Sequence, residues 1–107
     1  MMEDYDQAIA DFGNAIRIDP DSAAGYNSRG IAYYKKGVYT NAITDLTKAI
    51  EIYPEYAEAY YYRGLSNLSL EHTEEAIADF EKCIELSEDP ELTAKAQQQL
   101  EALQTLP

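Results

Sequence analysis

The sequence predicts an all-α fold in which antiparallel helix pairs stack into a superhelix, and three observations support this prediction. The chain of 107 residues repeats every 34 residues, as AIADFGNAIRIDP at 8–20, AITDLTKAIEIYP at 42–54 and AIADFEKCIELSE at 76–88. Each copy carries apolar residues at helical spacing. Glycine and proline are few and stand at regular positions. A period of this size is typical of supersecondary units that bury their apolar faces by stacking.

Six helices are expected from apolar spacing and from the residues that end helices. The first, third and fifth carry a stripe at i, i+3 and i+7, formed by Ile9, Phe12, Ile16; Ile43, Leu46, Ile50; and Ile77, Phe80, Ile84. Pro20 and Pro54 prevent the first and third helices from continuing. The expected boundaries, in chain order, are 4–18, 22–36, 40–52, 56–70, 74–86 and 90–105.

The second and fourth helices are copies of each other, because YNSRGIAYY at 26–34 returns as YYYRGLSNL at 60–68. Ser22 is a suitable N-cap for the second helix. Gly37 follows that helix, at a point where a left-handed backbone is often required. The sixth helix departs from the repeat, since Pro90 falls two residues late. Its polar side suits a helix that caps the open end of an array.

Charge and composition exclude several classes of function. The chain has 20 acidic and 8 basic residues and a net charge of −12, so nucleic acids and anionic membranes would be repelled. A neutral or basic protein partner fits better, although the acidic surface could serve solubility alone. The apolar runs are too short to span a bilayer, and no secretory signal is visible. A cytoplasmic protein is expected.

Catalytic and metal-binding motifs do not stand out. Cys83 occupies the slot of Ala15 and Ala49, which favours a buried structural thiol over a nucleophile. His72, the single histidine, falls at a predicted turn among glutamates. The C-x-x-C, phosphate-loop and zinc signatures are absent. We therefore expect neither an enzyme nor a cofactor or metal, and keep a hydrolase or transferase as a minor third hypothesis.

The recurring residues resemble the tetratricopeptide repeat, a 34-residue helix-turn-helix unit. The family's marks are Tyr26, Gly30, Tyr33, Ala42, Leu46, Ala49 and Pro54 in one unit, Tyr60, Gly64, Ala76, Phe80 and Cys83 in the next, and Ala8, Phe12, Ala15 and Pro20 in a half unit. Asn67 and Glu88 depart from the pattern, where tyrosine and proline are usual. The resemblance implies a single domain, 1–107, composed of half a repeat at 1–22, full repeats at 23–56 and 57–89, and a capping helix at 90–107.

The resemblance also implies a function, because such arrays usually bind a peptide or a partner's helix in a concave groove lined by the first helix of each unit. The residues expected there are Asn27, Ile31, Tyr34, Tyr61, Tyr62, Leu65 and Leu68. Their spacing places Asn27, Ile31 and Tyr34 on one face of the second helix, and Tyr61, Leu65 and Leu68 on one face of the fourth, with Tyr62 at its border. Packing of these residues against a neighbouring helix is the alternative. One branch of the family grips a terminal carboxylate with cations. Glu58 and Tyr62 stand where those cations are needed, so capture of an acidic tail is not expected.

Self-association is the alternative function. If left exposed, Ile9, Phe12 and Ile16 would each lose about 1.5–3 kcal/mol of burial energy. A second copy of the chain could cover this stripe and form a homo-oligomer. The other explanation is that the patch is tolerated at the boundary of the sequence.

Arginine and aspartate recur with the repeat. Arg29 and Arg63 replace a residue that is commonly leucine, and Asp11, Asp45 and Asp79 lie in the second helices. Repeated Asp–Arg pairs across packed helices would explain both, because an unpaired buried arginine is costly. A ligand-gripping arginine is the alternative. Since the last helix offers glutamine near the corresponding place, Asp79 is expected to lack a cation.

Overall fold

A computed structural model describes residues 4–105. This part of the chain forms six α-helices and no strand: α1 (Tyr5–Ile18), α2 (Ala23–Lys36), α3 (Tyr39–Ile52), α4 (Ala57–Ser69), α5 (Thr73–Leu86) and α6 (Pro90–Gln104). The prediction of an all-α helical-repeat fold is confirmed, and each boundary lies within one residue of expectation. No helix among residues 4–105 is long and apolar enough to cross a membrane.

The turns between helices use the residues that the sequence predicts. The Ser22 side chain caps α2 by accepting a hydrogen bond from the Gly25 backbone N–H at 3.0 Å. Gly37 ends α2 in the left-handed conformation, with φ of 90°. Glu71 takes the corresponding place one repeat later and has φ of 65°. The backbone geometry of this turn therefore recurs although its glycine does not.

Glycines let the two helices of each unit approach closely. A Cβ atom at Gly30 would lie 2.7 Å from Leu46 Cγ, and one at Gly64 would lie 2.8 Å from Phe80 Cε1. Leu46 and Phe80 are fully buried. Since carbon atoms do not approach so closely without displacement, a side chain at either glycine would separate α2 from α3 or α4 from α5. The core thus consists of two similar layers, one per unit.

The last helix packs on α5 and begins at a capped terminus. Ala96 is fully buried, and Leu92 and Leu100 pack against the same core cluster as Phe80. Asp89 accepts a hydrogen bond from the Glu91 backbone N–H at 3.0 Å. Gln97 and Gln98 are exposed, whereas Gln99 is half-buried. This one-sided polarity is what a capping helix requires.

The predicted Asp–Arg pairs are present. Arg29 Nε and Nη2 donate to the two carboxylate oxygens of Asp45 at 2.7 and 2.9 Å. Arg63 Nη2 donates to Asp79 Oδ1 at 2.8 Å, and Asn67 Nδ2 donates to Asp79 Oδ2 at 3.0 Å. Both aspartates are 4% exposed. The prediction that the repeated arginines pair with aspartates across packed helices is confirmed.

The expectation that Asp79 lacks a cation is wrong. Each arginine reaches the aspartate 16 residues later, in the second helix of its own unit. Of the three recurring aspartates in residues 4–105, Asp11 is the one without an arginine partner, and it accepts a hydrogen bond from Gln7 Nε2 at 2.9 Å. The repeat pattern alone does not specify whether an arginine pairs with the aspartate of its own unit or with that of a neighbouring unit.

The apolar stripe of α1 is better covered than the sequence suggested. Ile16 is 8% exposed, and Ile9 and Phe12 are half-buried. Gly25 allows α2 to approach, since a Cβ atom there would lie 3.1 Å from Ile16 Cγ1. The assumption that all three residues need an outside partner is therefore wrong for Ile16. Ile18, beyond the stripe, is 78% exposed.

Candidate peptide-binding groove

The first helices of the two full units lie side by side, and tyrosine rings connect them. The rings of Tyr34 in α2 and Tyr62 in α4 are 5.8 Å apart, and those of Tyr61 and Tyr62 are 5.2 Å apart. Tyr39 extends this tyrosine row, with its ring 5.8 Å from that of Tyr34. The row joins three of the seven residues expected in the groove.

The other predicted groove residues fall into two groups. Ile31 is half-buried and packs beside the core of the first unit, whereas Leu65 and Leu68 are half-buried beside the core of the second. Each keeps some accessible surface. Asn27 is only 2% exposed and Tyr61 is 9% exposed, so these two have little surface left for a ligand.

Asn27 is buried because it links α2 to α4. Its Nδ2 donates a hydrogen bond to Glu58 Oε1 at 2.8 Å. Its Oδ1 is also buried, and within residues 4–105 it accepts no hydrogen bond. The sequence indicated Glu58 as a residue unsuited to an acidic ligand, but gave no sign of this contact, because the partners are 31 residues apart. Asn27 therefore orients a carboxylate at the groove.

Two tyrosines respond to the charge of Glu58. Burial raises the pKa of the Tyr56 and Tyr62 hydroxyls, and the nearby Glu58 carboxylate raises both further. A hydrogen bond with the Asn27 side chain partly offsets this effect by lowering the pKa of Tyr56. Both phenols therefore stay protonated and neutral well above physiological pH, and their hydroxyls can donate hydrogen bonds. Tyr56 is not among the residues that the sequence predicts for the groove.

Glu58 also borders a cleft of about 160 Å³ between α4 and α6. The lining residues are Glu58, Tyr61, Tyr62, Asp89, Glu91, Leu92 and Lys95. Three carboxylates face one ammonium group, and Lys95 Nζ lies 3.7 Å from Glu91. The contribution of α6 to this cleft was not predicted, since the last helix departs from the repeat. This end of the groove carries excess negative charge and favours cationic groups.

A second cleft, of about 530 Å³, lies outside the groove, against α3. Arg29 and Asp45 line it, together with Tyr26, Thr47 and Lys48. The arginine and aspartate already bind each other, and the guanidinium lies 5.8 Å from the Tyr26 ring centre. Because its central polar groups are engaged, this cleft is a weaker candidate than the groove despite its size.

The remaining reactive side chains do not form a catalytic arrangement in residues 4–105. Cys83 is fully buried, and burial raises the pKa of its thiol to about 11. His72 is exposed, with Nδ1 3.3 Å from Asn67 Oδ1. In the same part of the chain, no three His, Cys, Asp or Glu side chains converge as metal ligands would.

Solved structures with the same architecture are similar to this chain. The first TPR of Spaghetti (RPAP3), bound to HSP90 peptide SRMEEVD, is 28% identical with a TM-score of 0.82, and the match covers 94% of this chain and 81% of that one. The second TPR domain of human RPAP3, in complex with HSP70 peptide SGPTIEEVD, is 28% identical with a TM-score of 0.85, covering 95% and 82%. The Arabidopsis OM64 TPR domain is 28% identical with a TM-score of 0.84, covering 92% and 81%.

Family models identify the repeats in the sequence itself. The TPR repeat model matches residues 2–37 and 32–71, and the tetratricopeptide repeat model matches residues 57–90. No curated protein sequence matches the chain significantly. Because these models together span most of the chain, this protein belongs to the tetratricopeptide repeat family.

Proposed function

We propose that this protein is an interaction module that binds a neutral or basic peptide, or a partner's helix, in the groove between α2 and α4. The observation that carries the proposal is the tyrosine row with the Glu58 carboxylate beside it. Tyrosine offers a large apolar ring and a hydroxyl donor at low entropic cost, which is why it is enriched in binding surfaces. Ile31 and Leu65 add partly exposed apolar surface on the same helices.

Similar structures support a peptide ligand but not the same ligand chemistry. Two of them carry peptides from HSP90 and HSP70 that end in EEVD, which is acidic. Here Glu58 lies at the groove, and Asp89 and Glu91 border the adjoining cleft. Like charges in such proximity oppose binding, and the net charge of −12 opposes it at longer range. The proposed ligand therefore carries lysine or arginine, or no charge.

The proposed domain organisation and cellular location are those predicted from the sequence. Half a repeat at 1–22, full repeats at 23–56 and 57–89 and a capping helix at 90–107 constitute the interaction domain. Within it, α6 has two roles, since it covers α5 and, with its N-cap Asp89, supplies two carboxylates, Asp89 and Glu91, to the cleft that adjoins the groove. A cytoplasmic location remains a prediction from the sequence.

A random octapeptide library displayed on phage tests the ligand chemistry. Wild-type protein is expected to enrich peptides with lysine or arginine beside an apolar residue, and to bind neither SRMEEVD nor SGPTIEEVD measurably. Glu58→Gln keeps an oxygen that can accept from Asn27 but removes the charge. This variant should bind the enriched basic peptides several-fold more weakly and with a shallower salt dependence. Enrichment of acidic peptides would contradict the proposal.

A truncation in the tyrosine row tests the position of the site. Tyr62→Ala should weaken binding of an enriched peptide about tenfold or more, as loss of a central aromatic anchor typically does. Tyr53→Ala is the matched control, because Tyr53 is exposed at the inter-unit turn. Circular dichroism verifies that both variants remain folded. Equal weakening by the two substitutions would place the site outside the groove.

Self-association remains the second candidate. The supporting observation is that apolar residues of α1 remain accessible, since Ala15 is exposed and Ala8 is half-buried. Sedimentation velocity over a micromolar concentration range tests this candidate. A concentration-dependent dimer is expected if it is correct, and a monomer throughout removes it.

A further inference from the structure

The internal repeat shows what a second helix needs on its inner face. In α3, Ala42, Asp45 and Ala49 are buried, and in α5 the same slots hold Ala76, Asp79 and Cys83, which are buried too. In α1 the slots hold Ala8, Asp11 and Ala15. Of these, Asp11 and Ala15 are exposed and Ala8 is half-buried. The α1 inner face, defined as Ala8, Asp11, Phe12 and Ala15, therefore lacks the cover that its two counterparts have.

The cover in both complete units is an Arg-Gly pair on a neighbouring helix. Arg29 and Arg63 bind the buried aspartates through two carboxylate oxygens, and the glycine that follows each arginine lies against a large apolar side chain. In α5 that side chain is Phe80, which faces Gly64. Phe12 holds the place of Phe80 in α1 and is only half-buried. The α1 inner face thus presents the carboxylate and the ring to which an Arg-Gly helix binds elsewhere in the same molecule.

We propose that the α1 inner face binds a helix of another protein that carries an arginine-glycine pair in the register of α4. Asp11 would accept from the guanidinium, and the glycine would lie over Phe12, with Ala8 and Ala15 allowing close approach. A second copy of this chain cannot supply the pair, because its Arg-Gly pairs at 29–30 and 63–64 are engaged within their own units. Its remaining arginine, Arg17, precedes isoleucine. The surface is separate from the groove, so this proposal does not depend on the proposed function.

A peptide with the sequence of residues 56–70, acetylated and amidated at its ends, is the probe, since its Arg-Gly pair already fits a phenylalanine. Binding to the full chain is followed by ¹H–¹⁵N NMR, and the shifts are expected at α1 amides. Asp11→Asn should weaken binding about tenfold or more, because a charge-assisted bidentate pair is lost. Ala15→Leu should block close approach. Both positions are exposed, so folding is preserved, and Glu81→Gln, an exposed carboxylate of α5, is the control.

Variants of the probe peptide distinguish this contact from non-specific binding. Replacing its arginine or its glycine by leucine should abolish the α1 shifts. Since a free helix of this length is marginal, the same segment is also attached before residue 1 through a Gly-Ser linker, which raises its effective concentration. The attached helix should raise the urea midpoint, and Asp11→Asn should remove the increase.

Three results would overturn the proposal. The first is the absence both of chemical-shift changes at α1 amides and of any stability gain from the attached helix. The second is binding that Asp11→Asn leaves unchanged. The third is a homodimer that buries α1 at the working concentration. Tyr62→Ala should leave the probe's α1 contact intact, so failure here and failure of the groove proposal are distinguishable.

Discussion

Arg63 is half-buried and forms a bidentate pair with the buried Asp79, which joins the two helices of the second full unit. Arg63 Nη2 donates to Asp79 Oδ1 at 2.8 Å, and its Nε lies 3.1 Å from Oδ2. The same guanidinium donates through Nη1 to Thr47 Oγ1 at 3.3 Å, in the preceding unit. One side chain therefore bonds both within a repeat and between repeats.

Arg63→Leu is expected to destabilise the fold by about 3–5 kcal/mol, because it leaves a buried carboxylate without a cation. Urea unfolding followed by circular dichroism measures the change. Arg17→Leu, at an exposed arginine of α1, should stay within about 0.5 kcal/mol. Unchanged stability of Arg63→Leu together with lost peptide binding would favour a ligand-gripping arginine instead.

Gly13→Thr should stabilise the protein, because position 13 in the first half unit corresponds to Thr47. A Cβ atom at Gly13 would lie 3.7 Å from Arg29 Nη1, so a side chain fits. Threonine would offer Arg29 the hydroxyl that Thr47 offers Arg63. Gly13→Val has nearly the same shape without the hydroxyl, so the two variants should differ by about 0.5–1.5 kcal/mol in unfolding free energy. Equal stabilities would mean that water is as good a hydrogen-bond acceptor for Arg29 as the threonine hydroxyl.

Glu71→Gly should stabilise the protein by about 1 kcal/mol, since Glu71 has φ of 65° and only glycine adopts that conformation without steric cost. The reciprocal change, Gly37→Glu, should cost a similar amount, because Gly37 has φ of 90° and nothing else crowds it. Chemical denaturation of both variants measures the effect. A destabilised Glu71→Gly would show that the glutamate side chain contributes more than its backbone costs.

Cys83 should react slowly with a disulfide reagent such as DTNB in the native protein at pH 8. Burial raises its thiol pKa to about 11, so the thiolate is scarce and inaccessible. Because the folded pKa lies above that of the unfolded chain, folding favours the protonated thiol. This contribution to stability is complete at neutral pH and is lost as pH rises through about 11. Rapid reaction at pH 8 without denaturant would show that α5 opens readily.

The sequence by itself determined the helices, their pairing and their order. The 34-residue period placed alanine and glycine where helices approach most closely, and Ala42 and Gly64 are buried at such points. It also predicted that the arginines pair with aspartates. These properties depend on spacing along one helix or between adjacent helices, which side-chain periodicity encodes directly.

Only the tertiary structure decided which partner each polar group takes. Arg63 pairs with Asp79 of its own unit, and Asn27 is buried and donates a hydrogen bond to Glu58. Likewise, the packing of α6 brings Glu91 to the cleft beside Glu58. A repeat pattern defines the face on which a side chain lies, whereas the superhelical stacking of the helices sets which neighbouring face it meets. That stacking depends on the packing of side chains distant in sequence, which periodicity does not specify.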